Sequence, residues 1–193
     1  MIDKKFYSDI RTGKSITYNQ LIEDVQKTKS YSSYCKSGDY YDVFKHVVIS
    51  LIFGKEIIML DSDFSDIELK KLVDDEDIFA TETVNISTTI DEENFMYLMT
   101  SKTDSWKITL FTSGTTGLPK KVTHSFSSIS RQVKKNEDHA DDIWGFAYNP
   151  THMAGIQVLF QALVNKNHII RLFGLDSKEI IGEIKSKGIT HIS

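Results

Sequence analysis

Cysteine is almost absent from this chain, and its absence limits the chemistry that the chain can perform. The 193 residues contain one cysteine, Cys35. An internal disulfide therefore cannot form, and zinc sites built from several thiolates are excluded. We expect Cys35 to be a structural thiol in a protein of a reducing compartment.

Long apolar runs and a basic excess are absent as well. No segment approaches the roughly 18 apolar residues of a membrane span. The first residues, Met1 to Phe6, contain no apolar signal core. The net charge is −4, whereas a nucleic-acid-binding domain usually has a basic face. These absences predict a soluble, cytoplasmic protein that has no membrane span and binds no nucleic acid.

Metal-ligand patterns are also missing, although acidic residues are concentrated in one segment. Residues 61–93 contain twelve acids and two lysines, with four consecutive acids at 74–77. A metal site there is conceivable, but consecutive acids point in different directions and are usually solvated. The histidines show no ligand spacing either. We predict no metal site made by this chain.

Apolar periodicity and helix-ending glycines predict the secondary structure. Predicted helices cover 17–30, 40–53, 127–138, 154–164 and 177–187. Predicted strands cover 56–60, 107–112, 122–124, 143–148, 168–173 and 189–193, and 94–99 is either a helix or a strand. Strands that alternate with helices indicate an α/β fold with a largely parallel sheet and flanking helices. We expect two lobes, 1–100 and 101–193.

The most informative segment runs from Thr112 to Lys120 and has the sequence Thr-Ser-Gly-Thr-Thr-Gly-Leu-Pro-Lys. Glycines let successive backbone N–H groups point at one anion, while hydroxyls and a lysine donate to phosphate oxygens. The segment matches neither the Walker loop nor the hydrolase nucleophile elbow. It is either an ordinary turn between strands or, as we predict, a loop that binds a polyphosphate.

This segment resembles the phosphate loop of the adenylate-forming superfamily, which includes acyl-CoA and aryl-CoA synthetases, peptide-synthetase adenylation domains and luciferases. Residues 111–120 match the superfamily pattern in order, with Lys121 in place of its final glycine. Two weaker resemblances flank the loop, at 15–21 (Ser-Ile-Thr-Tyr-Asn-Gln-Leu) and at 149–155 (Asn-Pro-Thr-His-Met-Ala-Gly). Together they identify residues 1–193 as the N-terminal portion of an AMP-binding domain, within the large domain of such an enzyme.

The resemblance implies a set of site residues. The β,γ-phosphates of ATP would be bound by Thr112, Ser113, Gly114, Thr115, Thr116, Gly117 and Lys120. His152 and Gly155 would belong to the acyl pocket. A structural role is also open for each of the last two, since His152 could be a helix-cap partner and Gly155 could serve helix packing.

The resemblance also implies an activity. The enzyme would use ATP and Mg²⁺ to convert a carboxylic acid into an acyl-adenylate and pyrophosphate, and would then transfer the acyl group to CoA or an acyl-carrier protein. The superfamily's later motifs, including its catalytic lysine, are not found in this sequence. We therefore expect an N-terminal fragment that has no complete catalytic set and is inactive alone. The alternative is a short, non-catalytic nucleotide-binding module, or a subunit that completes a separately encoded C-terminal half.

Overall fold

The computed structural model describes residues 4–73, 77, 80–112 and 119–193. The chain divides into two compact units. Unit 1 consists of Met1–Leu21 together with Ser130–Ser193, and unit 2 of Ile22–Ile129. The first strand of the chain pairs with a strand near residue 170, so both belong to unit 1. The expected lobes, 1–100 and 101–193, stay a prediction. Each unit is described by itself.

The strands are short, and most of them belong to two larger sheets. They are β1 (Lys5–Asp9), β2 (Lys14–Thr17), β3 (Ser30–Tyr31), β4 (Tyr34–Lys36), β5 (Ile57–Leu60), β6 (Glu82–Thr83), β7 (Lys107–Thr112), β8 (Lys120–Ser125), β9 (Ile143–Phe146), β10 (His168–Arg171) and β11 (His191–Ile192). The helices are α1 (Tyr18–Gln26), α2 (Tyr40–Phe53), α3 (Asp66–Leu72), α4 (Phe95–Thr100), α5 (Phe126–Ile129), α6 (Met153–Asn165) and α7 (Ser177–Lys187), with a 3₁₀ turn at Glu137–His139.

Unit 1 contains a five-stranded sheet in the order β11-β9-β10-β1-β2. All neighbouring pairs are parallel except the β1–β2 hairpin. Helix α6 connects β9 to β10, and α7 connects β10 to β11, as parallel strands require. Side chains of α7 such as Ile180 and Ile184 pack against the buried residues Ile170, Leu172 and Ile189. The core of this unit therefore lies between the sheet and its helices.

Unit 2 contains a four-stranded sheet in the order β4-β5-β7-β8, with β8 antiparallel to β7 and the other pairs parallel. A small antiparallel sheet pairs β3 with β6. Helix α2 is largely buried and matches the predicted bounds. The Asp39 side chain caps its start by accepting from the Tyr41 N–H, and Gly54 ends it at a φ of 64°. The α/β fold with largely parallel sheets is thus confirmed.

Several predicted bounds are wrong. The predicted helix 127–138 ends at Ile129 and gives way to turns. The backbone beyond it finds other partners, because the Lys134 N–H donates to Gln161 Oε1 at 2.9 Å and the Asn136 N–H to Asn165 Oδ1 at 3.2 Å. Side chains of α6 thereby replace the helical hydrogen bonds.

The other differences lie in the first half of the chain. The helix predicted over 17–30 ends at Gln26, and the chain then enters β3. Residues 94–99 are largely helical, as part of α4. Part of the acidic segment forms α3, where Ser65 and Glu68 make a reciprocal capping box. The sequence did not predict β1 to β4, β6 or α3.

Candidate functional site

The carboxyl ends of three parallel strands meet at one edge of the unit 2 sheet. Strands β4, β5 and β7 end there at Lys36, Leu60 and Thr112. This edge is where ligands bind in parallel α/β sheets. The predicted phosphate loop begins there, but Ser113, Gly114, Thr115, Thr116 and Gly117 lie outside the described residues. The two ends of the loop, Thr112 and Lys120, are described.

These two end residues face each other across the β7–β8 ladder. Thr112 is the direct partner of Lys120, and the Thr112 hydroxyl donates to the Lys120 carbonyl oxygen at 3.5 Å. Directly opposed residues in a ladder project from the same face of a sheet. The Thr112 hydroxyl and the Lys120 ammonium group therefore stand on one face, and both residues are exposed. Lys121 pairs with Phe111 and projects from the opposite face.

Packing fixes the strand that leads into this loop. Phe111 is buried in a cluster with Ile58, Leu60, Leu69 and Val73. Its ring meets that of Phe64 edge to face, with centroids 5.6 Å apart. The position of Thr112, the next residue, is thereby set by the core of unit 2.

The start of the same strand is held by polar groups. The buried Trp106 donates its Nε1–H to Ser50 Oγ at 2.9 Å. The hydroxyls of Thr109 and Thr123 lie 2.8 Å apart across the β7–β8 ladder. Both ends of β7 are therefore anchored, and the loop leaves a rigid strand.

The predicted acyl-pocket residues lie in unit 1, where the chain turns from β9 into α6. Asn149 organises this corner: its Oδ1 accepts from the Thr151 N–H at 3.0 Å and from the Thr151 hydroxyl at 2.8 Å. The His152 N–H donates to the Asn149 carbonyl at 3.2 Å. His152 is exposed and occupies the N-cap position, but its side chain makes no capping hydrogen bond. Its backbone carbonyl accepts the first helical bond from Ile156.

Gly155 is confined by the backbone of the same corner. A Cβ at this position would lie 2.5 Å from the Asn149 carbonyl oxygen and 3.1 Å from both the Phe146 ring and Pro150 Cα. The first turn of α6 can therefore approach the corner only with glycine at 155. This geometry supports a helix-packing role for Gly155, and a direct substrate role remains a prediction.

A cavity of about 280 Å³ lies beside the first two turns of α6. Its walls are largely apolar, and they are formed by Gln132, Val133, Trp144, Tyr148, Ala154, Gln157, Val158, Gln161 and Ser193. His152 and Gly155 do not line it, although Ala154 lies between them. Trp144 Nε1 is buried and donates to no acceptor among the described residues. Such a cavity can hold an apolar group.

The described residues offer neither a metal-binding cluster nor a membrane span. Within residues 4–73, 77, 80–112 and 119–193, no group of three or more histidine, cysteine or acidic side chains is placed to hold a metal ion. In the same part of the chain, no helix combines the length and apolar character needed to cross a membrane.

Comparison with known proteins identifies the family. A family model described as AMP-binding enzyme matches residues 40–193. A curated 2-succinylbenzoate–CoA ligase from Bacillus pumilus (strain SAFR-032) is 32% identical over 89 residues, which are 44% of this chain and 18% of the ligase.

Solved structures share the fold. O-succinylbenzoate coenzyme A synthetase from Bacillus subtilis, in complex with ATP and a magnesium ion, matches 98% of this chain with a TM-score of 0.67 and 14% identity. A luciferase-like enzyme from the mealworm Zophobas morio matches 98% with a TM-score of 0.65 and 15% identity. The chain spans 46% and 55% of these two structures. It has the fold of the N-terminal part of their large domain, and with four-fifths of its residues matched by the family model it belongs to the AMP-binding enzyme family.

Proposed function

We propose that this chain is the phosphate-binding and acyl-binding part of an ATP-dependent carboxylate-activating ligase. A carboxylate oxygen of the acid attacks the α-phosphorus of ATP, the bond from that phosphorus to the bridging oxygen breaks, and pyrophosphate leaves. The resulting acyl-adenylate then passes its acyl group to the thiol of CoA or an acyl-carrier protein, with release of AMP. The observation that carries this proposal is the pairing of Thr112 with Lys120 at the carboxyl edge of the parallel strands.

The role of the loop in this reaction follows from where charge develops. Negative charge grows on the β,γ-phosphates as pyrophosphate departs, and donors fixed in advance stabilise it with little reorganisation. Thr112 and Lys120 are held on one face by the β7–β8 ladder. Together with Ser113, Gly114, Thr115, Thr116 and Gly117 they would surround the leaving group.

In this proposal, Mg²⁺ binds together with ATP. Mg²⁺ is typically held by one or two carboxylates together with substrate phosphates, and it keeps several waters. The phosphates of ATP would supply its ligands on this side of the site. The chain's own contribution is the Lys120 charge and the Thr112 hydroxyl, which stand on one face of the β7–β8 ladder.

The acyl group is assigned to the corner between β9 and α6. His152 stands exposed at the N-cap of α6, and the apolar cavity lies along the next two turns. Because the curated relative is a 2-succinylbenzoate–CoA ligase, 2-succinylbenzoate is the first acid to test.

Lys120→Ala tests the phosphate site in the 193-residue chain. Removal of one charge-assisted donor costs about 1.5–3 kcal/mol, which raises the Kd for ATP roughly 10- to 150-fold. Lys121→Ala is the matched control, since Lys121 is also exposed but projects from the opposite face, and it should change the Kd less than about threefold. Isothermal titration calorimetry with ATP measures both. Equal effects of the two variants would refute the assignment of Lys120.

The activity itself is tested on the complete native gene product, whose mass an immunoblot against this chain would establish. ATP–pyrophosphate exchange that depends on an added carboxylic acid supports the ligase. ATP binding without exchange for any acid would instead favour a non-catalytic nucleotide-binding module. If the native product has the mass of this chain, exchange should require a second chain that supplies the remaining half.

A further inference from the structure

Unit 1 contains a second cavity, of about 330 Å³, whose chemistry the proposed ligase does not use. It lies where the β1–β2 hairpin, β10 and α7 meet, and it shares no wall residue with the cavity beside α6. Its walls include lysines from three elements: Lys5 from β1, Lys14 from β2 and Lys187 from α7. Cationic side chains thus reach one concave surface from three directions.

Hydrogen-bonding groups lie in a row along the sheet wall of this cavity. Ser8 Oγ is 2.8 Å from His168 Nε2 and 3.4 Å from Ser15 Oγ. The register accounts for the row, because Ser8 pairs directly with Ser15 in β2, and β10, which begins at His168, lies on the other side of β1. Two hydroxyls and an imidazole are therefore presented to the same space as the lysines.

The charge of the walls is positive. The Asp9 carboxylate is already engaged, since it accepts from Arg171 Nη1 at 3.0 Å and from the Arg11 N–H at 2.9 Å. Glu183 is the remaining acid of the wall. In the described part of the chain, neither Lys5 nor Lys187 forms an ion pair.

The surroundings of the cavity change the pKa of the His168 imidazole. Burial, together with the nearby positive charge of Lys5, lowers the pKa of His168 to about 4. His168 is therefore neutral at pH 7 and serves as a hydrogen-bonding partner of Ser8. The positive charge of the cavity comes from the lysines.

We propose that this cavity is a binding site for a small dianion of the phosphate-monoester type. The ammonium groups of Lys5 and Lys187 supply the charge, and the Ser8 and Ser15 hydroxyls donate to the phosphate oxygens. The two ammonium groups of Lys5 and Lys187, which form no ion pair in the described part of the chain, match the two charges of such a dianion. The volume suits one phosphate group with a small organic remainder.

The experiment is an NMR titration of the ¹⁵N-labelled 193-residue chain with inorganic phosphate, glycerol phosphate and, at matched ionic strength, chloride. We expect saturable shifts at the amides of Ser8, Gly13, Ser15 and His168 with both phosphates. Binding at the nucleotide loop would shift Thr112 and Lys120 instead and would be weakened in Lys120→Ala, so the two sites are distinguishable. Equal shifts with chloride would overturn the proposal.

Variants with opposite expected effects complete the test. Lys5→Ala combined with Lys187→Ala should raise the Kd for phosphate about tenfold or more, because two charge-assisted donors are lost. Glu183→Gln should lower it, because the opposing charge is removed. Lys178→Ala, on the same helix but outside the cavity, is the control and should leave the Kd unchanged. If the double variant fails to fold, Lys187→Ala and Glu183→Gln carry the comparison, and an unchanged Kd in both would overturn the proposal.

Discussion

The loop of the β7–β8 hairpin follows the carboxyl end of the parallel strand β7, and the corner between β9 and α6 follows that of the parallel strand β9. Different interactions hold these two places. In the hairpin, the backbone ladder brings Thr112 opposite Lys120 and leaves both side chains exposed. In the corner, the Asn149 side chain and the missing side chain of Gly155 fix the path of the backbone. Backbone pairing therefore sets which residues face each other in the hairpin, whereas the close approach at Gly155 sets the path of the corner.

This difference determines what substitutions at each site can reveal. Because the core does not use the Lys120 side chain, its replacement can remove function and leave the fold intact. Gly155 is different, since any side chain there meets the backbone of the corner first. A loss of activity after substitution of Gly155 therefore indicates a disturbed fold before it indicates a lost contact with the substrate.

Each of the two units contains one tryptophan that can serve as a spectroscopic reporter. The chain contains two tryptophans, of which Trp106 lies in unit 2 and Trp144 in unit 1. Incorporation of 5-fluorotryptophan therefore gives two ¹⁹F signals, which follow the two units separately during unfolding in urea.

The largest effect is expected for Phe111→Ala, which removes the packing beneath the loop. Phe111 is 8% exposed, and a buried phenylalanine reduced to alanine typically costs about 3–5 kcal/mol. The Trp106 signal should show an unfolding midpoint at much lower urea. Ile67→Ala is the control in the same unit, because Ile67 is 70% exposed, and it should shift the midpoint little. Equal shifts in the two variants would show that Phe111 does not anchor the hairpin.

A smaller but still clear effect is expected for Gly155→Ala. The new Cβ would lie 2.5 Å from the Asn149 carbonyl oxygen, so the corner must shift, and overpacking of this kind costs about 1–3 kcal/mol. The Trp144 signal should report the loss of stability.

Gly182→Ala is the matched control for this substitution. Gly182 also lies in a helix of unit 1, but a Cβ there meets no atom within 4 Å. Alanine should therefore stabilise α7 by about 0.5–1 kcal/mol. If Gly155→Ala and Gly182→Ala change the stability of unit 1 in the same direction and by the same amount, the corner does not depend on packing at Gly155.

The sequence predicted the elements that carry local signals. Helices α2 and α7 show apolar periodicity and end at glycines in the left-handed conformation, Gly54 and Gly188, and both were predicted within a residue or so. The strands on either side of the loop motif, 107–112 and 122–124, were predicted because the motif is local and because β7 is an apolar run, although β8 begins earlier, at Lys120. The start of α1 also carries a local signal, since the Thr17 hydroxyl accepts from the Gln20 N–H at 3.2 Å.

Other features depend on partners far away in the chain and could not be predicted. Strand β1 is five residues long, and its parallel partner β10 lies about 160 residues later. The packing of Gly155 is set by the path of Asn149 and Pro150, so the sequence was compatible with both a packing role and a pocket role. The basic cavity has walls from four elements, and none of its residues forms a local motif. Sequence patterns predict features that are determined by residues close together in the chain. The features named here are determined by residues that are close only in the folded structure.

The smallest effect is expected for pH, and it sharpens the comparison because each unit contains a half-buried histidine. The folded pKa of His168 is lowered to about 4 from an ordinary 6.5. Between these values the unfolded chain binds more protons than the folded chain, so the free energy of unfolding rises with pH. The contribution is complete above pH 6.5 and is lost as the pH falls toward 4. We expect about 1 kcal/mol between pH 7 and pH 5, after allowance for the partial exposure of the side chain.

His168→Gln tests this prediction, since glutamine can still bond Ser8 but does not titrate. The loss of stability between pH 7 and pH 5, measured at the Trp144 signal, should be smaller in the variant than in the original chain. In unit 2, burial likewise lowers the pKa of His46, whose Nε2 lies 2.7 Å from the Ser32 carbonyl oxygen. His46→Gln should therefore change the pH response of the Trp106 signal. An identical pH response of Trp144 with and without His168 would show that other groups set the acid sensitivity of unit 1.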